Sequence, residues 1–481
     1  MTGRLGALLL CLTILGCDGE DPTDAGADAA LSDAGADAAI PSDGGADASV
    51  DAGGDAPPGD VVAEGLCDTS GALAVAPDGS RVAFVTCSAD RAVWLAQLPT
   101  GEPVRVADAN ANTTVLLSPD AAWLVWGDTS GWSMQDVSMT AAPIGVAAGT
   151  VDEVRFVTVD PDGAPILRLL TLASDGPTRR VTMRGDEDLF FGSMTLIENS
   201  DLRGSLALVS GSRGTLIVET LRAGTRTYEL VPTGGGGTPT TLPIDPDTFV
   251  MGPVGMGDTH GIARRGAGLS FVEFASGAEI ALETDGVPAS SPLHVIEDPT
   301  DGRYAYYLRQ GDPTRRLRNG SGPSQRLVDA DAMDFWVTPD EALLVFASGG
   351  RAFTATLDGG STADLGPHAA AVLDGAMAPS SAELALIDAG AIVRFVPGRD
   401  ASGTALDGTG VVAQSAAYDG AGERLLWQRD GDDDGRRDVL RSAGLGVPSA
   451  RTVAWDVHRW WPVPTQTLLL YRTTSGALLR L

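Results

Sequence analysis

One unit recurs along most of this chain and limits what it can fold into. It is a short apolar run, a Pro-Asp-Gly turn and a second apolar run, clearest at Ala72–Cys87, ALAVAPDGSRVAFVTC. Counted from Pro77, equivalent turn positions fall at Pro119, Pro161, Pro299, Pro339, Pro379 and Pro464. Tyr418 takes the same place before a longer turn. Neighbouring anchors stand about 40–45 residues apart, the period of a four-stranded repeat unit. The interval from Pro161 to Pro299 has room for two units with drifted turns. They are read as Phe190–Pro232, with SLALVSG and TLIVETL, and Thr248–Glu283, with SFVEFASG.

The runs after the turns, such as Val82–Val85, Leu124–Trp126, Leu343–Phe346 and Leu468–Tyr471, are short and rich in β-branched and aromatic residues. Closed by Gly or Asp, they read as buried strands rather than helices. An aromatic recurs seven residues after the anchor, at Phe84, Trp126, Tyr306, Phe346 and Tyr471, a register that suits core packing between neighbouring units. The expected fold is all-β, a β-propeller of four-stranded blades. About ten units are counted, as one large ring or two smaller propellers, above the usual four to eight blades. The chain ends inside its last unit at Gly476–Leu481, so Val61–Gly65 is expected to supply the missing edge strand.

The apolar–Pro-Asp-Gly–apolar unit resembles the repeat of Tol-system and related WD-like propellers of bacterial envelopes, over most of Val61–Leu481. The Tol-system protein carries an α/β domain before its propeller. This chain has a low-complexity tract there, so the resemblance implies the fold and not the Tol role.

Residues 1–16 read as a secretion signal: Arg4 gives a positive start, and the apolar run Leu5–Gly16 is too short to span a bilayer. It ends in Ile14-Leu15-Gly16-Cys17, which resembles the lipobox of bacterial lipoproteins. The resemblance implies that Cys17 is acylated and becomes the new N-terminus. The alternative is an ordinary secretion signal cleaved nearby. Residues 17–60 follow as a tether of Asp, Ala, Gly, Ser and Pro with near-copies at Thr23–Ala30 and Ser32–Ala39. Without aromatic or basic residues it cannot bury enough surface to offset its ordering entropy. As a flexible coil it would reach on the order of 35–40 Å. The expected location is the bacterial envelope: the periplasmic face of either membrane, or the cell surface, held by the N-terminal lipid alone.

The formal net charge is −31, of which the tether supplies twelve acidic and no basic residues. Residues 61–481 hold 32 Arg, no Lys and 52 acidic residues, a balance of −20. That acidity argues against nucleic acid, which requires a basic face, and favours cations or basic partners. Once Cys11 leaves with the signal and Cys17 carries lipid, Cys67 and Cys87 remain. A hairpin about Pro77–Ser80 brings them to one open end, where a disulfide is plausible in an oxidising compartment. Two separate thiols are the alternative; a zinc site lacks further ligands.

Asp430–Asp438 reads DGDDDGRRD between strands Leu425–Arg429 and Val439–Arg441. Asp430, Asp432, Asp434 and Asp438 take loop positions one, three, five and nine. Gly435 allows the bend, and Arg436 offers its carbonyl. The pattern suits calcium and resembles the hairpin calcium loops of integrin-type propellers. Arg441 at position twelve disfavours an EF-hand. The expected cofactor is a structural calcium ion; the alternative is an acidic turn.

No HExxH pair or GxSxG elbow is present, and most Asp residues read as turn formers. A possible ligand patch is His458-Arg459-Trp460-Trp461, with a titratable ring, a cation and two aromatics near a strand end. A second is Gly234–Gly237 with Thr238–Thr241, better read as a mobile loop. The expected function is non-enzymatic: an anchored propeller binding an envelope protein, peptide or glycan, or serving as a scaffold. The alternative is a lyase or hydrolase at the central funnel. Fold alone does not separate them.

Overall fold

The computed structural model describes residues 59–481 with internal breaks, the longest at 186–193, 233–239, 251–259 and 431–438. The described strands form ten antiparallel sheets of four strands each. The chain is an all-β propeller. Nine sheets are meanders of four consecutive strands. The first runs Leu73–Val75, Arg81–Thr86, Ala92–Gln97 and Val104–Asp108. Helix is confined, among the described residues, to a 3₁₀ segment at Ala369–Asp374.

The recurring turn joins the first strand of a sheet to the second, as at Pro77, Pro119, Pro339, Pro379 and Pro464. The turns at Pro161 and Pro299 lie outside the described residues. Its chemistry is local. Asp78 Oδ1 accepts from the Ser80 amide at 2.9 Å, and Asp340 Oδ1 from the Ala342 amide at 3.2 Å. Such side-chain-to-backbone bonds stabilise a turn without outside help. Phe84, Trp126, Tyr306, Phe346 and Tyr471 all lie on second strands and are buried. Trp427 fills the same place in the ninth sheet, fully buried on Arg424–Arg429. Counting from the anchor missed it because the turn there is longer.

The unit read as Phe190–Pro232 is shifted by one strand. Met194–Asn199 pairs with Thr178–Gly185 and closes the third sheet. The fourth sheet runs from Leu202–Leu208 to Thr240–Leu242. Apolar runs mark the inner strands well. Outer strands are short or polar, so the boundary between units is the weakest signal. The unit Thr248–Glu283 matches the fifth sheet, Phe249–Val250 through Glu279–Glu283.

The tenth sheet joins the two ends of the body. Asp60–Ala63 lies antiparallel to Leu478–Arg480, with Val61 opposite Leu479, beside Leu469–Thr473 and Val457–Pro462. The edge that the last three strands would expose is thereby covered. Side chains alternate across each strand, so each sheet serves two seams. Phe84 packs with Val463 and Leu470 between the first and tenth sheets, and Val85 packs with Trp126 between the first and second. Apolar seams likewise join the second to the third sheet and each successive pair from the fifth to the tenth. Thr150–Val159 touches Leu202–Leu208 between the third and fourth.

Three buried carboxylates add polar pins to these seams. Tyr307 Oη donates to Glu283 at 2.7 Å, and Tyr418 Oη donates to Glu383 at 3.0 Å. Trp427 Nε1 donates to Asp407 at 3.0 Å. Each acid belongs to one sheet and its donor to the next.

Candidate functional site

The seam between the last and first sheets is where the chemistry collects. Residues Gly65–Asp68 connect the closing strand Asp60–Ala63 to the first sheet and bond to sheets on both sides. The Cys67 amide donates to Val85 O at 2.9 Å, and the Cys87 amide to Gly65 O at 2.6 Å. Toward the tenth sheet, the Leu66 amide donates to Gly476 O at 2.7 Å, and Arg472 Nε donates to Leu66 O at 3.2 Å. Cys67 and Cys87 form a disulfide with Cα atoms 4.9 Å apart. It ties the connector to the end of the strand Arg81–Thr86.

A small pocket of about 30 Å³ opens beside this connector. Leu66–Thr69 and Gly71–Leu73 form one wall; Arg459, Trp461 and Arg472 form the other. Gly71 holds φ +86°, and a Cβ there would lie 2.5 Å from Thr114 Cγ2, so the wall needs glycine at that point.

Electrostatics divide the pocket's two arginines. Arg472 is nearly buried and committed: its Nη1 lies 3.3 Å from Asp68 Oδ1. His458 Nε2 lies 3.2 Å from the same oxygen. Asp68 itself is more than half exposed. Arg459 is different. Its guanidinium sits 5.3 Å over the Trp461 ring, and among the described residues no carboxylate pairs with it. Cation–π contact fixes the group in place while leaving its N–H donors free.

The four contiguous residues expected to form one patch are thus divided. Arg459 and Trp461 share a strand face and line the pocket. Trp460 points to the opposite face, packing with Leu469 and Tyr471 in the seam with the ninth sheet. Trp461 also packs into the seam with the first sheet, so both tryptophans contribute to the core. Asp68, Arg472 and the connector were missed as site residues. The signal for them was the expected end-to-end pairing together with Cys67, which places residues 66–73 against the last sheet.

Other expected sites fall elsewhere. Asp430 is exposed at the end of its strand, its amide donating to Gly410 O at 2.8 Å. Asp432, Asp434, Arg436 and Asp438 lie outside the described residues, as do Cys17, the tether through residue 58 and Gly234–Gly237; Asp60, expected at the tether's end, belongs instead to the closing strand. Among the described residues no cluster of three or more metal-ligating side chains occurs. At the base of the acidic loop, Asp407 stands 3.5 Å from Arg429 Nη1 and 3.3 Å from Arg441 Nε. Elsewhere, His368 Nδ1 lies 2.7 Å from Asp388 Oδ2 and its ring meets Phe395 edge-on. This pair fastens the start of the 3₁₀ segment to the eighth sheet. His294, on the first strand of the sixth sheet, has its pKa lowered by burial, which keeps the ring neutral.

No family model matches the sequence, and no curated protein matches it. Solved structures with similar overall layout include the WD40 domain of SCAP from fission yeast, at 8% identity and a TM-score of 0.41. That match covers 88% of this chain and 97% of the other. A eukaryotic initiation factor aligns at 12% identity and a TM-score of 0.45, over 85% of this chain and 93% of the other. At such values these likenesses carry no argument about function. The fold stands on the strand order and register above.

Proposed function

We propose that this chain is a lipid-anchored, extracytoplasmic binding module of a bacterial envelope. The propeller presents the pocket at its closing seam to an envelope protein or peptide. The observation that carries the reading is Arg459: a guanidinium held on Trp461 at the mouth of a pocket, without an acidic partner among the described residues. A buried structural arginine is normally paired; Arg459 is exposed, has no carboxylate partner among the described residues, and is held by the ring. Location rests on the lipobox-like Ile14-Leu15-Gly16-Cys17 and the acidic tether behind it.

The test uses the full-length protein in its own cells with a photo-cross-linking residue at Thr69, in the pocket wall, and a control at Val104, on the far strand of the first sheet. The expected result is a discrete adduct at position 69 that is absent at 104. It should also be lost when Cys17→Ser releases the protein from membranes. Equal labelling at both positions would remove the binding assignment; membrane retention of Cys17→Ser would remove the anchor.

We also propose that Asp430–Asp438 binds calcium as a structural ion. Unpaired, its carboxylates repel one another, and a bound cation relieves that repulsion. Calcium should raise the unfolding temperature and chelator should reverse the gain. In Asp432→Ala the response should vanish; an unchanged response would place the ion elsewhere.

A further inference from the structure

The pocket's dimensions and charges narrow what it can take. At about 30 Å³ it has room for two or three water-sized groups. That is the size of one carboxylate and too small for a whole metabolite. The ligand must therefore insert a headgroup and leave the rest of itself outside. The free donors at the mouth belong to Arg459, and a guanidinium matches a carboxylate in planar, two-point geometry. The pocket's lining is mainly polar, with Leu73 and the Trp461 ring as its partly buried apolar part.

Asp68 strengthens the case. Its carboxylate already stands against Arg472 and His458 at 3.3 and 3.2 Å, with more than half its surface in water. Water competes for the exposed side of this acid, so the pair does not seal Arg472 off from a second carboxylate. The pair shows that this wall accepts a carboxylate, and that a second one could compete for Arg472 once Arg459 has engaged it.

We propose that the closing-seam pocket binds a peptide carboxylate, from an acidic side chain or a chain terminus, with Arg459 as the contacting cation and Asp68 as a built-in competitor. This rests on the binding reading above. A uronic acid sugar carries its carboxylate directly on the ring and would bring that bulk against the rim, so a flexible peptide group is favoured. With the body at a net −20, long-range repulsion opposes an acidic ligand, leaving short-range contact at Arg459 to hold it. Binding should therefore tighten as salt screens the repulsion, before weakening at high salt.

The experiment is ligand-observed NMR on the full-length protein with four probes: N-acetyl-glutamate α-amide, N-acetyl-glutamine α-amide, N-acetyl-Gly-Ala as the free acid, and galacturonate. The glutamate derivative or the free terminal acid should bind, and the glutamine derivative should not. Arg459→Gln should weaken binding at least tenfold, and Arg459→Lys should keep part of it. Asp68→Asn should strengthen binding several-fold by freeing Arg472. The two substitutions moving affinity in opposite directions distinguishes a carboxylate site from a general loss of structure. Failure of both peptide acids to bind better than the glutamine derivative, an unchanged affinity in Arg459→Gln, or a preference for galacturonate would each overturn the proposal. A position-69 adduct that survives Arg459→Gln would overturn the carboxylate assignment while leaving the binding reading intact.

Discussion

Ala389 shows how much of this fold rests on single turn residues. Ala389-Gly390 reverses the chain between the second and third strands of the eighth sheet, with φ of 49° and 78°. The corresponding turns of the sixth and seventh sheets are Gln310-Gly311, at 50° and 87°, and Gly349-Gly350, at 54° and 79°. All three have the left-handed pair that matches strand twist in a two-residue hairpin. An L-residue with a Cβ is disfavoured in that region by about 1–2 kcal/mol. Ala389 is exposed, so its methyl gives nothing back through burial. Ala389→Asn should therefore stabilise the protein by about 1 kcal/mol, seen as a higher urea midpoint at unchanged slope. Loss of stability would mean that the turn is held by its neighbours rather than by its own preference. The Pro-Asp-Gly turns were legible in the sequence because proline and an aspartate cap mark them twice. These second turns were not, since Ala-Gly and Gln-Gly carry only one weak mark each.

At the scale of elements, the seams divide into apolar cores and polar pins. The cores follow from alternation along each strand and were readable as a class. The pins were not, because a lone Glu or Asp near a turn looks like a turn former. Glu383 is the fullest case. It accepts from Tyr418 Oη at 3.0 Å and from the Gly446 amide at 2.8 Å, and stands 3.3 Å from Arg394 Nε. Arg394 donates onward to Val447 O at 2.7 Å. Both side chains are under a tenth exposed. Burial, then the neighbouring Glu383 charge, pushes the Tyr418 hydroxyl well above its ordinary value. It thus remains a donor across the working pH range. Glu383→Gln keeps the shape and removes the charge, leaving Arg394 buried beside carbonyls alone. Breaking a buried pair on one side costs about 3–5 kcal/mol, and denaturant unfolding should show that loss. Arg394→Met added to Glu383→Gln should cost less than the two changes summed, because the unpaired charge is gone. Strict additivity would mean that the seam is held by packing and not by this network.

For the whole molecule the decisive junction is where the body's two ends meet. The sequence placed that junction well: the last unit lacked an edge strand, and residues near Val61 were available to fill it. It could not show how thin the pairing is. Asp60–Ala63 meets Leu478–Arg480 at three positions with a register shift among them. Such a short edge strand would fray if nothing held the chain behind it. The connector does hold it, through Leu66 to the tenth sheet and through Cys67–Cys87 to the first. The disulfide spans a sequence separation of 20 residues. Loop-closure entropy over that span is worth about 3 kcal/mol in the chain-entropy view. Its loss should be felt first where the ends meet. Reduction, or paired Cys67→Ser and Cys87→Ser, should lower the unfolding midpoint. Amide exchange should quicken first at Leu66, Cys67 and Leu479, ahead of core amides such as Val345 and Leu386. Because Leu66 and Cys67 also wall the pocket, binding at Arg459 should weaken in step with that exchange. If protection at Leu66 and Leu479 survives reduction, the strand pairing and the Arg472–Leu66 bond suffice to keep the ends together, and the disulfide only limits the unfolded chain.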